Sequence, residues 1–154
     1  MWLTKIEYGL LMALTASRRS EDPTTKVGCV VENYDGRIIA SGYNGLKAKK
    51  KSRINFARNR NKKLEMFIHS EVNALSLVKR GEAARIYSTH SPCAACCHTI
   101  IAHGINEVIF LKEYHACQKY KSILKENGIR FRAAKTKEVL HIRNSIRDMC
   151  NLLE

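Results

Sequence analysis

Residues 85–112 read RIYSTHSPCAACCHTIIAHGINEVIFLK. Arg85 to Thr89 is a short β-rich run. Pro92 pre-sets a helical backbone angle, so it can open a helix that runs to about His103 and stops at Gly104. Asn106 to Lys112 is a continuous apolar run of strand length. Strand, helix and strand in that order form a crossover unit, with parallel strands and the helix on a sheet face. Moving outward, Leu3, Ile6, Leu10, Met12 and Ala13 fall at helical spacing and predict a first helix over about 3–19. Val27 to Tyr34 and Arg37 to Tyr43 are strand runs joined at Asp35-Gly36, a hairpin signal. Phe67 to Arg80 reads as a helix that Gly81 ends. Beyond the crossover, a helix from about Cys117 to Glu126 ends at Asn127-Gly128 and Ile129 to Ala133 is a strand. Thr136 can cap a terminal helix reaching about Leu153. The predicted order is α-β-β-α-β-α-β-α-β-α, an α/β chain read as one domain over 1–154.

The chain has 154 residues, enough for one substantial core. A hydrophobic fraction of 45% and a charged fraction of 27% exclude a disordered chain. The formal net charge is +13, which points to a polyanionic partner or substrate: nucleic acid, a nucleotide or an anionic membrane. That charge is local. Residues 47–63 read KAKKKSRINFARNRNKK, with nine Lys or Arg and no acid, and the remainder of the chain carries only +4. This segment has no convincing apolar period and predicts a basic loop insertion at about 46–66, with at most one helical turn. The uncharged run Tyr8–Ser17 is too short to span a bilayer and reads as part of the first helix. Six cysteines without a secretory signal, three of them within five residues, indicate metal binding or a reducing compartment. A cytoplasmic location without membrane contact is the expectation.

Two motifs carry chemistry. His69-Ser70-Glu71 opens one predicted helix, and Pro92-Cys93-Ala94-Ala95-Cys96 opens another. Zinc favours thiolate and imidazole ligands in tetrahedral geometry, and a catalytic site uses three protein ligands with the fourth position left for water. Cys93 and Cys96 are three apart and share one face of a helical turn. At a helix N-terminus, free N–H groups and the macrodipole stabilise thiolate. His69 supplies a third donor. Glu71, two residues on, suits a general acid/base beside the metal. The competing reading is a closed structural zinc site completed by Cys97 or His98. It leaves Glu71 without a role, and adjacent Cys96 and Cys97 point about 100° apart on a helix.

The pattern H-x-E…P-C-x-x-C is that of zinc deaminases acting on nucleobases. The chain more widely resembles the deoxycytidylate (dCMP) deaminase family of the cytidine deaminase-like superfamily. The resemblance rests on EYGLLMALTASRRSEDPTTKVGCVV, on Gly42-Tyr43-Asn44-Gly45, on HSEVNA at 69–74, on IYSTHSPCAAC, on GINEVIFLKEYH and on GIRF. It implies a three-layer α-β-α sandwich around a five-stranded mixed sheet, and the reaction dCMP to dUMP and ammonia. In that chemistry a zinc-bound hydroxide attacks C4, and Glu71 shuttles the proton to N3 and to the departing amine. It also implies one catalytic zinc held by His69, Cys93 and Cys96, a small nucleotide substrate, and a homo-oligomer. Asn44 carries over as a base or deoxyribose contact, against a plain turn-forming role before Gly45. Tyr114 and His115 carry over as pocket residues, and Lys26 as a phosphate contact. His90 stands where the family usually has Leu and can line the pocket. Gly45 is followed by Leu-Lys-Ala-Lys, with neither Cys nor His before His69, so no second structural zinc is expected in this loop.

One phosphate needs two or three cations, so the basic segment exceeds what a nucleotide requires. The alternatives are therefore a polynucleotide (DNA or RNA) cytidine or adenosine deaminase contacting nucleic acid through Lys47–Lys63, or a non-catalytic zinc-binding member of the fold. Against the first, the segment holds a single aromatic, Phe56, where single-strand binders present several stacking rings.

Overall fold

The computed structural model describes residues 2–47, 54–114 and 118–152. In chain order the elements are α1 (Lys5–Ser17), β1 (Gly28–Asn33), β2 (Ile38–Tyr43), α2 (Arg60–Met66), α3 (Ser70–Leu75), β3 (Ala83–His90), α4 (Ala94–Ala102), β4 (Glu107–Lys112), α5 (Tyr120–Glu126), β5 (Arg130–Ala133) and α6 (Thr136–Cys150). The five strands form one sheet in the order β2-β1-β3-β4-β5. β1 pairs antiparallel with β2 and β3, whereas β3-β4 and β4-β5 are parallel. The sheet is thus mixed, and the crossover unit at 85–112 supplies its parallel part.

Alternation along the strands divides the interior in two. Cys29, Val31, Ile86, Val108 and Phe110 face α3, α4 and α5, where Ala74, Leu75, Cys97, Ile100 and Leu124 meet them. Val30, Tyr87 and Ile109 face the other way and pack with Leu10, Leu11 and Ala13 of α1 and Ile142 of α6. Helices on both faces make the three layers. The β1-β2 hairpin turns through Gly36 at φ 78°, with the Asn33 carboxamide oxygen accepting from Asp35 N and Arg37 N.

Three differences from the sequence reading have physical causes. The helix expected over 67–80 is helical only from Ser70 to Leu75. Phe67 is extended, and Ile68 pairs with Gly45 (Ile68 N to Gly45 O 2.8 Å, Gly45 N to Ile68 O 3.1 Å), which pulls the chain into a bridge before the helix can start. The basic segment contains a two-turn helix, α2, whose Asn59 cap accepts from Lys62 N. Thr136 does not cap α6: Lys135 holds the cap position, and Glu138 reaches back to accept its N–H at 2.6 Å. Residues 48–53 of the basic segment, and the expected helix start at Cys117, lie outside the described residues.

Candidate metal centre and active-site cleft

Two helix starts meet at the carboxyl end of β3. His69 is the N-cap of α3 and Cys93 the N-cap of α4, both with extended backbone, and neither side chain caps its own helix. Both point instead at each other: Cys93 Sγ lies 3.4 Å from His69 Nδ1. Cys96 occupies the third helical position of α4, the place that faces the N-cap across the first turn, and its Sγ is 3.3 Å from the same nitrogen. The C-x-x-C spacing thus puts two thiols where a capping box puts two hydrogen-bonding side chains.

The three donor atoms lie within 4.8 Å of one another. Tetrahedral zinc with bonds of ~2.1 Å to nitrogen and ~2.3 Å to sulfur separates its ligands by roughly 3.6–3.8 Å. Donor identity, number and spacing therefore fit zinc. Cys97, offered above as a fourth ligand, is fully buried in the core facing α3, and His98 is exposed. Without metal, the proton between the sulfurs is shared unevenly. The hydrogen bond from Cys96, and then that from His69, pull Cys93 down to about 4, while the Cys93 interaction and burial push Cys96 up. The Cys93 contact also raises His69. A zinc ion held by His69, Cys93 and Cys96 would replace that proton and leave both sulfurs as thiolates.

Glu71, 4% exposed, lies beside this group: its Oε2 accepts from Ser70 Oγ at 3.0 Å and from Cys96 Sγ at 3.5 Å. Burial raises its pKa, in part offset by its own backbone N–H and by His69. A carboxyl whose ionisation is made harder can both take and release a proton.

His69, Cys93 and Glu71 line a cleft together with Asn44, His90 and Tyr114, and Cys96 is buried beside them. Asn44 is buried, and its carboxamide is fully engaged within the protein. The oxygen accepts from Val27 N (2.7 Å) and Ser20 Oγ (2.6 Å), and the nitrogen donates to Asp22 Oδ2 (3.1 Å) and Thr25 O (2.9 Å). His90 is half-buried, its Nδ1 is 3.1 Å from Thr89 Oγ1, and burial with Lys112 nearby lowers its pKa. Tyr114 is placed by Ser91, whose Oγ accepts its N–H at 2.8 Å. Lys26 is not brought into the cleft: it is exposed, and its Nζ donates to Ser20 O. His115 lies outside the described residues.

The structure adds wall residues that the sequence reading did not single out: Asp22, Thr25, Arg60, Lys63, Leu64, Phe67 and Ser91. Four of them form a stripe, Arg60-Lys63-Leu64-Phe67, at the i, i+3, i+4, i+7 spacing of one helix face. That spacing was visible, but it was hidden among like charges. Lys63 is buried, and its ammonium contacts Asp22 Oδ2 at 3.0 Å and Thr24 Oγ1 at 2.6 Å.

Comparison with known proteins agrees with this geometry. The profile of the family described as "Cytidine and deoxycytidylate deaminase zinc-binding region" matches residues 3–112. The chain is similar to a probable deoxycytidylate deaminase of Drosophila melanogaster, 34% identical over an alignment of 125 residues that covers 71% of this chain and 60% of that protein. It is also similar to the deoxycytidylate deaminase of Mycobacterium phage D29, 33% identical over 121 residues, covering 70% of this chain and 94% of the relative. Its fold matches the crystal structure of dCMP deaminase from the cyanophage S-TIM5 in complex with dCMP and dUMP, with TM-score 0.72 and 22% identity, over 87% of this chain and all of that one. The match thus spans about three-fifths of the fly relative and nearly all of the phage relative. With a profile that runs through α1, both metal-bearing helix starts and the crossover unit, the chain belongs to the cytidine and deoxycytidylate deaminase zinc-binding family.

Proposed function

We propose that the protein hydrolyses dCMP to dUMP and ammonia. The observation that carries this reading is the buried Glu71 carboxyl within hydrogen-bond reach of a His69-Cys93-Cys96 donor set, at the floor of a cleft with a cation on its wall. The similar fly and phage proteins are named deoxycytidylate deaminases, and the S-TIM5 enzyme of like fold holds dCMP and dUMP.

His69, Cys93 and Cys96 would hold the zinc, which when bound supplies a water ionised near neutral pH. Glu71 does the proton work. Its Oε2, steered by the Ser70 hydroxyl, takes a proton from the attacking water and delivers it to N3 of the cytosine. Glu71 then takes the remaining proton of the hydroxyl added at C4 and passes it to the C4 amine as the C–N bond breaks, so the C4 carbonyl forms and ammonia leaves. His90 and Tyr114 line the cleft that the nucleotide would enter. Asn44, with its carboxamide spent on protein partners, holds the segment between α1 and β1 in place rather than reading the base. The two ligand thiols must stay reduced, which suits the cytoplasm. A homo-oligomer belongs to the same reading, because Val72 on α3 and Leu77 just beyond it leave apolar side chains in water, Leu77 at 79% exposure.

A polynucleotide substrate is the weaker reading. Phe56, the only aromatic in the basic segment, packs edge-on against Phe67 at 5.1 Å and is not free to stack on a base. The decisive assay follows ammonia release by zinc-loaded protein from dCMP, cytidine, dCTP and single-stranded DNA. Turnover of dCMP above the others is expected; release from DNA alone would replace this proposal with the polynucleotide one.

A further inference from the structure

We infer that Arg60 is the residue that holds the 5′-phosphate, and so sets the preference for a nucleotide over a nucleoside. This rests on the nucleotide reading above. The basic segment carries nine cations, and the fold turns only two of its described ones, Arg60 and Lys63, into the cleft. They are not equivalent. Lys63 is committed: its ammonium is buried against Asp22 and Thr24, and the partner carboxylate is 4% exposed. That ion pair has no charge left for a ligand, but it fastens α2 to the turn between α1 and β1. Arg60 sits one turn earlier on the same helical face. It is exposed, and no acidic side chain among the described residues lies within ion-pair distance of it. It is therefore the uncompensated guanidinium of the cleft, on a helix that Lys63 keeps against the wall.

The depth order of the cleft matches the two ends of a nucleotide. Glu71, which lines the cleft, is buried, so the neutral base goes inward to it. A phosphate monoester carries about −1.5 to −2 charges near neutral pH and stays at the wet rim, where Arg60 lies. The planar guanidinium can meet two phosphate oxygens at once, which an ammonium cannot. The other exposed cations of α2 and its approach, such as Arg58 and Lys62, do not line the cleft, and Lys62 pairs with Glu65 at 2.9 Å.

The test compares dCMP with deoxycytidine in wild type, Arg60→Ala, Arg60→Lys and the control Arg58→Ala. For Arg60→Ala, KM for dCMP should rise about 10- to 100-fold, as for loss of hydrogen bonds to a charged group, with kcat within about twofold. Its kcat/KM for deoxycytidine should stay at the wild-type value. Arg60→Lys should fall between, and Arg58→Ala should match wild type. An unchanged KM for dCMP in Arg60→Ala, or equal losses on both substrates, would overturn the assignment. Calorimetry with dUMP and deoxyuridine separates this from the function itself. If wild type turns over no dCMP, the deaminase reading falls, and the assignment then stands only if dUMP binds and Arg60→Ala weakens it selectively. No dUMP binding, or equal binding by the variant, defeats it.

Discussion

Glu71 shows how much a single side chain owes to its surroundings. It is a carboxyl kept from water, with one hydroxyl donor at 3.0 Å and a cysteine sulfur at 3.5 Å, and burial makes its ionised form costly. It touches the donor set through Cys96 without being one of the three clustered ligands. Exchanging its carboxylate for an amide removes proton transfer and keeps the shape. Glu71→Gln is therefore expected to retain one zinc per chain by elemental analysis, while kcat for dCMP falls by about 10²–10⁴, the usual contribution of a general acid/base. A variant that keeps wild-type turnover would remove Glu71 from the mechanism. The donor residues follow a simpler rule. Cys93 and Cys96 take the N-cap and third positions of α4, so their convergence is fixed by the geometry of one helical turn and was legible in the C-x-x-C spacing. That His69 closes the triangle at 3.3–3.4 Å was legible only as a motif, because it depends on how α3 lies against α4.

Between elements, the contact that sets the metal site is the packing of β2 on α3. Gly42, in the Gly-Tyr-Asn-Gly stretch, lies so close to α3 that a methyl group there would come within 2.5 Å of Ala74 N and 2.6 Å of Ser70 O. Both are backbone atoms of the helix that begins just after His69 and carries Glu71, so neither can give way without moving the site. Gly42→Ala is expected to destabilise by about 1–3 kcal/mol, the range for overpacking, and to lower the zinc retained on dilution into chelator. Urea unfolding and metal content together check this, and an alanine variant with wild-type values in both would mean that α3 is not fixed by β2. The same scale explains where sequence reading overran. Periodicity extended α3 back to Phe67, but the Gly45-Ile68 bridge, a pairing of residues 23 apart, forces extended backbone there. Periodicity also missed α2, whose inward stripe mixes Arg60 and Lys63 with Leu64 and Phe67. A stripe that is half cationic has no hydrophobic signature until a buried Asp22 is placed opposite it.

Over the whole molecule, three buried carboxylates join separate elements, and all three are held below the usual carboxylate range. Burial pushes Asp22 up, but N–H groups of Thr25 and Thr24 and the Lys63 ammonium outweigh it. Burial likewise opposes ionisation of Glu7, and the Thr4 N–H and the His141 ring overcome it, joining α1 to α6. Glu138 is lowered first by its paired hydrogen bonds from Arg132, at 2.8 and 2.9 Å. Each folded pKa is below its unfolded value of about 3.9 for Asp or 4.3 for Glu, so the stabilisation is complete above those values and is lost as pH falls through the folded ones. The urea midpoint should therefore hold steady from pH 7 to 5 and drop below about pH 4, and Asp22→Asn should shallow that drop. An acid limb unchanged in the variant would show that Asp22 is not among its causes. The sequence by itself determined the α/β class, the parallel crossover at 85–112, the donor residues His69, Cys93 and Cys96, and Glu71 as a carboxyl beside them. The class, the crossover and the Cys93-Cys96 pair follow from patterns of short range, period 2 in strands, period 3.6 in helices and ligand spacing within one turn, whereas His69 and Glu71 were legible only through the H-x-E…P-C-x-x-C motif. Only the tertiary structure decided that Asn44 is saturated by four protein partners, that Lys26 stays outside the cleft, and that of the charges in 47–63 one is neutralised by Asp22 while Arg60 faces the cleft. Those outcomes depend on which residues, far apart in the chain, the packed layers bring within hydrogen-bond distance, and no local pattern encodes that.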